Sequence, residues 1–246
     1  MKKVFEKYKI YGFKTFMIYL LGEIKRILWN QIIYQSYSLD GEDIFIDKIL
    51  GYKKIGFYVD VGAYDPHRVN NTKRFYDRGW SGINIEPSKE NYRKFVLSRQ
   101  RDINLNLGIG NENSQMKFYK FIPSTLSTFS TKEKSKYQKL GHKFLGIEFI
   151  DVRKLSYILN KYCPKRKLDF LSVDTEGFDF QVLKSNDWKK FRPKIICIET
   201  ADYQGFKQVI HSRTKANEID LFLISKGYKV LLDNQTNSIY QDRLLN

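Results

Sequence analysis

Short apolar runs alternate with helical stretches along most of the chain, and no other feature of the sequence restricts the fold as strongly. Runs rich in β-branched and aromatic residues predict strands, and residues that favour helix ends lie between them. The five predicted strands cover residues 55–61, 82–86, 103–107, 168–173 and 195–199. Strands that alternate with helices form a largely parallel sheet through right-handed crossovers. The sequence therefore predicts an α/β fold with helices on both faces of the sheet.

The two ends of the chain add a hairpin and a basic extension to this prediction. Residues 228–232 and 236–240 predict a closing hairpin, with Asp233 and Asn234 at its turn. Residues 1–50 are predicted as a basic, amphipathic helical extension before a domain at residues 51–246, because apolar residues recur every three or four positions. Such a helix fits either an anionic membrane surface or packing against the domain or a second subunit.

The basic charge and the low cysteine content exclude several classes of protein. The chain carries 43 Lys and Arg residues against 27 Asp and Glu residues, a net charge of +16, which predicts an anionic partner or substrate. Two cysteines exclude a disulfide scaffold and a cysteine-rich zinc module. The apolar run at residues 16–22 is too short to cross a bilayer, and no cleavage site follows it. We therefore predict a cytoplasmic protein, and in the membrane interpretation residues 1–35 contact the inner face of the membrane.

Acidic residues and glycines follow the predicted strands at the edge where a parallel sheet binds its ligand. Gly62 comes two residues after Asp60, and a glycine there allows a ligand to approach the backbone. Glu86 ends the second strand about 24 residues later, where a carboxylate can accept both hydroxyls of a ribose. Together, the two features predict a cofactor built on adenosine.

Asp174 and Glu176 follow the fourth predicted strand, and Glu199 ends the fifth. Two carboxylates at the end of an apolar strand can act as a general base or bind a hard divalent cation. In the alternative interpretation, Asp174 caps the next helix and Glu176 is only solvated. We expect the residues after the first, second, fourth and fifth strands, at positions 60–65, 86, 174–177 and 199–203, to converge.

Several of these motifs, in this order, resemble the FkbM-type S-adenosylmethionine-dependent methyltransferases. The similar segments are Tyr58 to Pro87, the Val-Asp-Thr-Glu-Gly-Phe-Asp sequence at 173–179, Ile198-Glu199, and the Ser-x-x-Gly-Glu-Asp sequence that ends at Asp43. The resemblance implies a class I methyltransferase fold, which is Rossmann-like and has a seven-stranded sheet with an antiparallel last strand. It also implies methylation of a hydroxyl group, often on a sugar of a polysaccharide, glycolipid or natural product.

The resemblance further implies where S-adenosylmethionine would bind. Asp60 would lie near the amino acid end of the cofactor, and the backbone of Gly62 and Ala63 would line its methionine moiety. Glu86 would bind the ribose hydroxyls. The residues implied around the adenine are Pro87, Ser88, Gly108 and Ile109. Asp102 precedes its strand, so it does not match the acidic adenine contact of the family.

The implied reaction requires a base for the acceptor hydroxyl, and the candidates are Asp174, Glu176 and His67. In a second version of the site, Asp174, Glu176 and Glu199 coordinate a divalent cation that lowers the pKa of the acceptor. The hydroxyl-rich segment 121–130 predicts either an acceptor lid or a surface loop. The lysines that follow it, at positions 132, 134, 136, 139 and 143, either attract a phosphorylated acceptor or form a solvated helix face.

The resemblance and the basic charge together imply a methyltransferase of polysaccharide biosynthesis, whose acceptor is an anionic sugar-containing small molecule or a glycolipid. An RNA methyltransferase would suit the charge, but the sequence contains no basic-aromatic RNA-binding module, so we do not predict nucleic acid as a partner. A non-catalytic nucleotide-binding module of a surface-polymer assembly is another alternative. A dehydrogenase is disfavoured because Asp65 stands where the dinucleotide motif requires a second glycine.

Overall fold

A computed structural model describes residues 35–163, 167–200, 218–234 and 236–244, together with residues 17, 21 and 165. Residues 1–34 of the extension predicted at 1–50, apart from residues 17 and 21, and the positions 201–203 therefore lie outside the described residues. No helix within the described ranges has the length and apolar character needed to span a bilayer.

The described residues form ten strands and seven α-helices. The strands are β1 (Phe57–Val61), β2 (Ser81–Ile85), β3 (Ile103–Leu105), β4 (Gly108–Ile109), β5 (Ser114–Ile122), β6 (Lys143–Arg153), β7 (Phe170–Val173), β8 (Ile195–Glu199), β9 (Tyr228–Asp233) and β10 (Asn237–Asp242). The helices are α1 (Glu42–Ile49), α2 (Lys73–Arg78), α3 (Lys89–Ser98), α4 (Thr131–Lys139), α5 (Leu155–Tyr162), α6 (Asp179–Lys184) and α7 (Glu218–Ser225).

Seven of these strands form the main sheet, in the order β3-β2-β1-β7-β8-β10-β9. Strands β3, β2, β1, β7 and β8 pair in parallel, whereas β10 pairs antiparallel with both β8 and β9. The predicted seven-stranded, mostly parallel sheet with an antiparallel last strand is therefore confirmed. This order brings the carboxyl ends of β1, β2, β7 and β8 to one edge of the sheet.

Apolar residues cover both faces of the main sheet, because successive side chains of a strand point to opposite faces. Val59 and Val61 belong to a buried cluster that includes Leu159 of α5 and Val182 of α6. Tyr58, directly before Val59, belongs to a second cluster on the opposite face, with residues of α1 and α2. Helices on both faces are therefore confirmed, and the polar positions that follow the strands remain at the sheet edge.

A second, three-stranded sheet has the order β4-β6-β5, and the sequence did not predict it as a unit. The alternating sequence at residues 116–121 and the run at 147–152 each predict a further strand, and Gly108 and Gly110 are predicted to close the third strand. Instead, Gly108 and Ile109 form β4, which pairs in parallel with β6. Gly108 fits there because the ring of Phe129 lies against it: a Cβ atom at this position would be 2.5 Å from Phe129 Cζ.

Helix α1 packs against the main sheet although it precedes the predicted domain boundary at residue 50. Ile46 is fully buried in the second cluster, beside Tyr58 and Phe75. The carboxylate of Glu42 accepts hydrogen bonds from the side chains of Asn234 (2.8 Å) and Asn237 (2.7 Å). The boundary itself stays a prediction, but residues 42–49 share the core of the domain.

Candidate active site

The ends of β1, β2 and β7 meet at Gly62. The backbone N–H groups of Gly62 and Ala63 both donate to the carbonyl of Ile85, at 2.9 and 3.2 Å. Gly62 has a φ of +80°, and a Cβ atom there would lie 1.8 Å from the carbonyl oxygen of Asp174. Gly62 is therefore needed to let β7 approach β1, a reason that the sequence did not indicate.

Glu86 lies at the end of β2 beside this turn and is only 5% exposed. One carboxylate oxygen accepts the N–H of Tyr64 (2.8 Å), and the other accepts the N–H of Ser88 (2.7 Å). Burial raises the pKa of Glu86 to about 7, and the nearby charge of Asp60 adds to the rise. An ionised carboxylate has about four acceptor positions, so each oxygen can accept one further hydrogen bond.

Asn106, which sequence analysis did not single out, fixes the turn that carries Pro87 and Ser88. Its side-chain amide donates to the carbonyls of Glu86 and Pro87, at 2.9 Å in each case. Pro87 and Ser88 are half-buried there. The sequence predicts Asn106 inside the strand 103–107, whereas in the structure it directly follows β3.

Asp60 is buried at the end of β1 and holds the loop that follows this strand. Its carboxylate accepts hydrogen bonds from Thr72 Oγ1 (2.8 Å) and Asn70 Nδ2 (3.3 Å), and Asn70 Nδ2 also reaches the carbonyl of Ala63 (3.1 Å). Burial raises the pKa of Asp60 to about 6. Its contact with the amino acid end of a cofactor stays a prediction.

Asp174, Glu176 and Glu199 form a cluster that we call the carboxylate trio. One oxygen from each residue lies within 4.8 Å of the others, although the sequence separates them by up to 25 residues. The structure thus brings together the acidic residues that follow β7 and β8, and Gly62 joins them to the loop after β1. This spacing also allows the three oxygens to bind one divalent cation.

Mutual repulsion and desolvation make the carboxylate trio hold protons tightly. Asp174 is the most exposed of the three, yet protein surrounds its carboxylate, and this desolvation and the charges of Asp179 and Asp60 raise its pKa to about 7. The pKa values of Glu176 and Glu199 are raised well above the usual range, first by burial and then by the charge of Asp174. A group that shares a proton near neutral pH is suited to general base catalysis.

Asp179, and not Asp174, caps the turn between β7 and α6. Its carboxylate accepts hydrogen bonds from the N–H groups of Thr175 (2.9 Å) and Gly177 (3.1 Å), and from Thr175 Oγ1 (3.0 Å). Glu176 is not simply solvated either, because its carboxylate accepts a hydrogen bond from the hydroxyl of Tyr137 (2.6 Å). The alternative, purely structural interpretation of Asp174 and Glu176 therefore does not describe this turn.

His67 does not join the carboxylate trio. Its side chain is exposed, and its Nε2 atom lies 2.9 Å from the hydroxyl of Ser98 at the end of α3. Sequence proximity to Gly62 suggested a role for His67, but the loop carries it to a different neighbour. Its role as a base stays a prediction, now without a contact to the other two candidates.

Other predicted positions have structural partners. Gly108 and Ile109 are buried in β4, so their contact with an adenine stays a prediction. Asp102 accepts hydrogen bonds from the hydroxyl of Tyr58 (2.5 Å) and the N–H of Gly82 (2.8 Å). Both of these partners lie near the amino-terminal ends of their strands, far along the sheet from Glu86. Asp102 thus has a structural role, which agrees with its mismatch to the acidic adenine contact of the family.

The small sheet and α4 border the carboxylate trio on one side. Tyr137 of α4 contacts Glu176, and Lys136 Nζ lies 3.1 Å from the carboxylate of Glu133 on the same helix. In the segment predicted as a lid, Ser127 Oγ accepts the N–H of Phe121 (3.1 Å) and so stabilises a turn. Basic side chains of α4 therefore lie beside an acidic site.

Comparison with known proteins places this geometry in a family. The model of the methyltransferase FkbM domain matches residues 60–230, which include Asp60, Glu86 and the whole carboxylate trio. The chain belongs to the FkbM methyltransferase family. The matched range begins within β1 and ends within β9, so it contains β2 to β8 and the helices between them and leaves β10 outside.

A crystal structure of the methyltransferase FkbM from Methylobacillus flagellatus KT, at 2.20 Å resolution, is similar to this chain. The two are 16% identical, and the match covers 76% of this chain and 43% of that chain, with a TM-score of 0.43. The chain therefore spans less than half the length of that FkbM protein. No protein of curated function matches the chain.

Proposed function

We propose that this FkbM methyltransferase transfers a methyl group from S-adenosylmethionine to a hydroxyl oxygen. The observation that carries the proposal is the meeting of three strand ends at Gly62, which puts Glu86 on one side of the turn and the carboxylate trio on the other. Glu86 can accept a diol, and the trio can accept a proton. A ribose and a reacting hydroxyl therefore both have a partner at one edge of the sheet.

The residues at this edge fit S-adenosylmethionine in charge and in hydrogen bonding. The chain has a net charge of +16, but Asp60, Glu86 and the carboxylate trio make this edge acidic. These carboxyl groups can release their shared protons when a cation binds, so the site favours a cation over the anions that the basic surface attracts. Glu86 retains acceptor positions for two ribose hydroxyls. When bound, S-adenosylmethionine supplies a methyl group on a positively charged sulfur.

The carboxylate trio would orient the acceptor and remove its proton. Asp174 is the first candidate for the base, because it is the most exposed residue of the trio and its pKa is raised to about 7. Glu176 would receive or share that proton, since one oxygen of each residue in the trio lies within 4.8 Å of the others. Holding the acceptor oxygen about 3 Å from the methyl carbon and excluding water would supply the rest of the acceleration.

We propose a sugar of a polysaccharide precursor, glycolipid or sugar nucleotide as the acceptor. The support comes from α4, because its Tyr137 contacts Glu176 of the trio and the lysines along this helix would attract a phosphate on such a molecule. We further propose that the reaction takes place in the cytoplasm, with residues 1–35 in contact with the inner face of the membrane. Both proposals agree with the basic charge of the chain.

A screen with labelled S-adenosylmethionine tests this function. The full chain is incubated with sugar nucleotides, with polyprenyl-phosphate-linked sugars and, as a competitor, with bulk RNA. We expect label in a sugar product, and a loss of turnover of about 100-fold or more in Asp174→Asn, with the dissociation constant of the cofactor little changed. Label in RNA alone, or cofactor binding without any labelled product, would contradict the proposal.

A further inference from the structure

Glu176 has a backbone conformation that its own turn does not explain. Its φ is +54°, in the left-handed region that residues with a Cβ atom rarely adopt. Glu176 is neither a glycine nor an asparagine, and it carries one of the three carboxylates of the trio. Such conformations persist where surrounding structure holds them, and they cluster at functional sites.

Two side chains from outside the turn hold Glu176, and both belong to the segment between β5 and β6. Thr128 Oγ1 donates to the carbonyl of Glu176 at 2.8 Å. The hydroxyl of Tyr137 donates to a carboxylate oxygen of Glu176 at 2.6 Å. One contact fixes the backbone of Glu176, and the other fixes the end of its side chain.

Both donors are themselves held by packing. Thr128 is fully buried, and its backbone N–H and carbonyl bond to the carbonyl and N–H of Tyr119, at 3.1 and 2.8 Å. Tyr137 is 1% exposed, and its ring packs edge-on against Phe121 with centroids 5.7 Å apart. Rigid donors of this kind orient a neighbouring group without losing conformational entropy when substrate binds.

Helix α4 also supports the residue that follows Glu176. Gly177 has a φ of +85°, and a Cβ atom there would lie 2.6 Å from Cγ of Glu133. The turn at residues 176–177 therefore lies directly against α4. A shift of this helix would move Glu176 relative to Asp174 and Glu199.

We propose that Tyr137 and Thr128 are positioning residues, which hold the carboxylate of Glu176 toward Asp174 and Glu199. The small sheet and α4 thereby complete a site whose other parts come from the main sheet. This inference rests on the proposed function, because it assigns Glu176 to the reacting centre. The orientation of the Glu176 side chain can nevertheless be tested without any measurement of turnover.

The variant Tyr137→Phe tests the proposal, because it keeps the ring and removes only the hydroxyl. We expect kcat to fall about 10- to 100-fold, since the hydrogen bond that orients the Glu176 carboxyl group is lost and this group is free to turn. The dissociation constant of S-adenosylmethionine and the melting temperature should stay near those of the parent. Thr128→Val should act in the same direction through the backbone of Glu176.

Tyr119→Phe is the matched control. Tyr119 belongs to the same buried aromatic cluster as Tyr137, but removing its hydroxyl leaves the contact between Tyr137 and Glu176 intact. In a Glu176→Gln background, Tyr137→Phe should reduce kcat much less than in the parent. Equal losses of kcat in Tyr119→Phe and Tyr137→Phe, or an undiminished effect in the Glu176→Gln background, would overturn the proposal.

Crystal structures of the parent and of Tyr137→Phe separate this proposal from the proposed function. We expect an oxygen of Glu176 within 4.8 Å of Asp174 and Glu199 in the parent, and a displaced Glu176 side chain in the variant. An unmoved Glu176 in Tyr137→Phe would refute the positioning role even for an active enzyme. A displaced Glu176, in a chain that shows no methyl transfer, would refute the function and leave the positioning role standing.

Discussion

Replacing Gly62 with alanine tests how closely β1 and β7 approach at the candidate site. The new Cβ atom would lie 1.8 Å from the carbonyl oxygen of Asp174, and this oxygen belongs to backbone that cannot rotate away. Two costs therefore add. A left-handed conformation lowers the free energy of unfolding by about 1–2 kcal/mol for a residue with a Cβ atom. An overpacked contact lowers it by a further ~1–3 kcal/mol.

Gly141 provides the control for this substitution. It has almost the same φ, +79° against +80°, but a Cβ atom there would meet nothing within 4 Å. Gly141→Ala should therefore lower the free energy of unfolding by about 1–2 kcal/mol, and Gly62→Ala by about 2–5 kcal/mol. For a domain of this size the additional loss corresponds to a melting temperature lower by roughly 2–12 °C.

Chemical and thermal unfolding, followed by circular dichroism, measures both variants. Calorimetric titration with S-adenosylmethionine should also show weaker binding in Gly62→Ala than in Gly141→Ala, because β7 must move away from β1. Equal stability and equal cofactor binding in the two variants would refute the close approach of Gly62 to Asp174. The site built on that approach would then be wrong.

Three further predictions concern the charges of the site. Because burial raises the pKa of Glu86 from 4.5 to about 7, the folded chain binds this proton more tightly than the unfolded chain does. Between pH 4.5 and pH 8, the free energy of unfolding should therefore fall by roughly 3 kcal/mol more in the parent than in Glu86→Gln. Urea titration measures this difference, and parallel pH profiles of the two proteins would contradict it. Exhaustive chelation should leave turnover unchanged, because a shared proton already relieves the repulsion in the carboxylate trio. If chelation abolished turnover and added Mg²⁺ restored it, the trio would bind a cation instead. Changing Lys132 and Lys136 to alanine should raise KM about 3- to 10-fold for a phosphorylated acceptor but not for its unphosphorylated form, in steady-state assays at low salt; equal changes for both would assign the lysines to the solvated face of α4.

The main sheet was predictable because its strands carry a local signal. β7 ends directly before Asp174, β8 ends at Glu199, and β1 carries Asp60 next to its last residue; parallel strands bring such ends to one edge. The meeting of Asp174, Glu176 and Glu199 follows from this rule alone. The same rule gave Glu86 its place beside the loop after Gly62.

The contacts made by the small sheet were not predictable in this way. The sequence of α4 is polar, so Tyr137 looked like one aromatic residue on a solvated helix, and its contact with Glu176 spans 39 positions. The left-handed conformation of Glu176 likewise has no local signal in the sequence. His67 failed to join the carboxylates for the opposite reason, because nearness in sequence does not fix where a loop turns.

The position of β10 affects the order in which the domain can be completed. This strand lies between β8 and β9, although it follows both in the chain. Until residue 242 has left the ribosome, β8 therefore has an unpaired edge and β9 has no neighbour in the sheet. A nascent or truncated chain that stops before residue 237 would expose the backbone of β8, a buried and strongly apolar strand, to pairing with other chains.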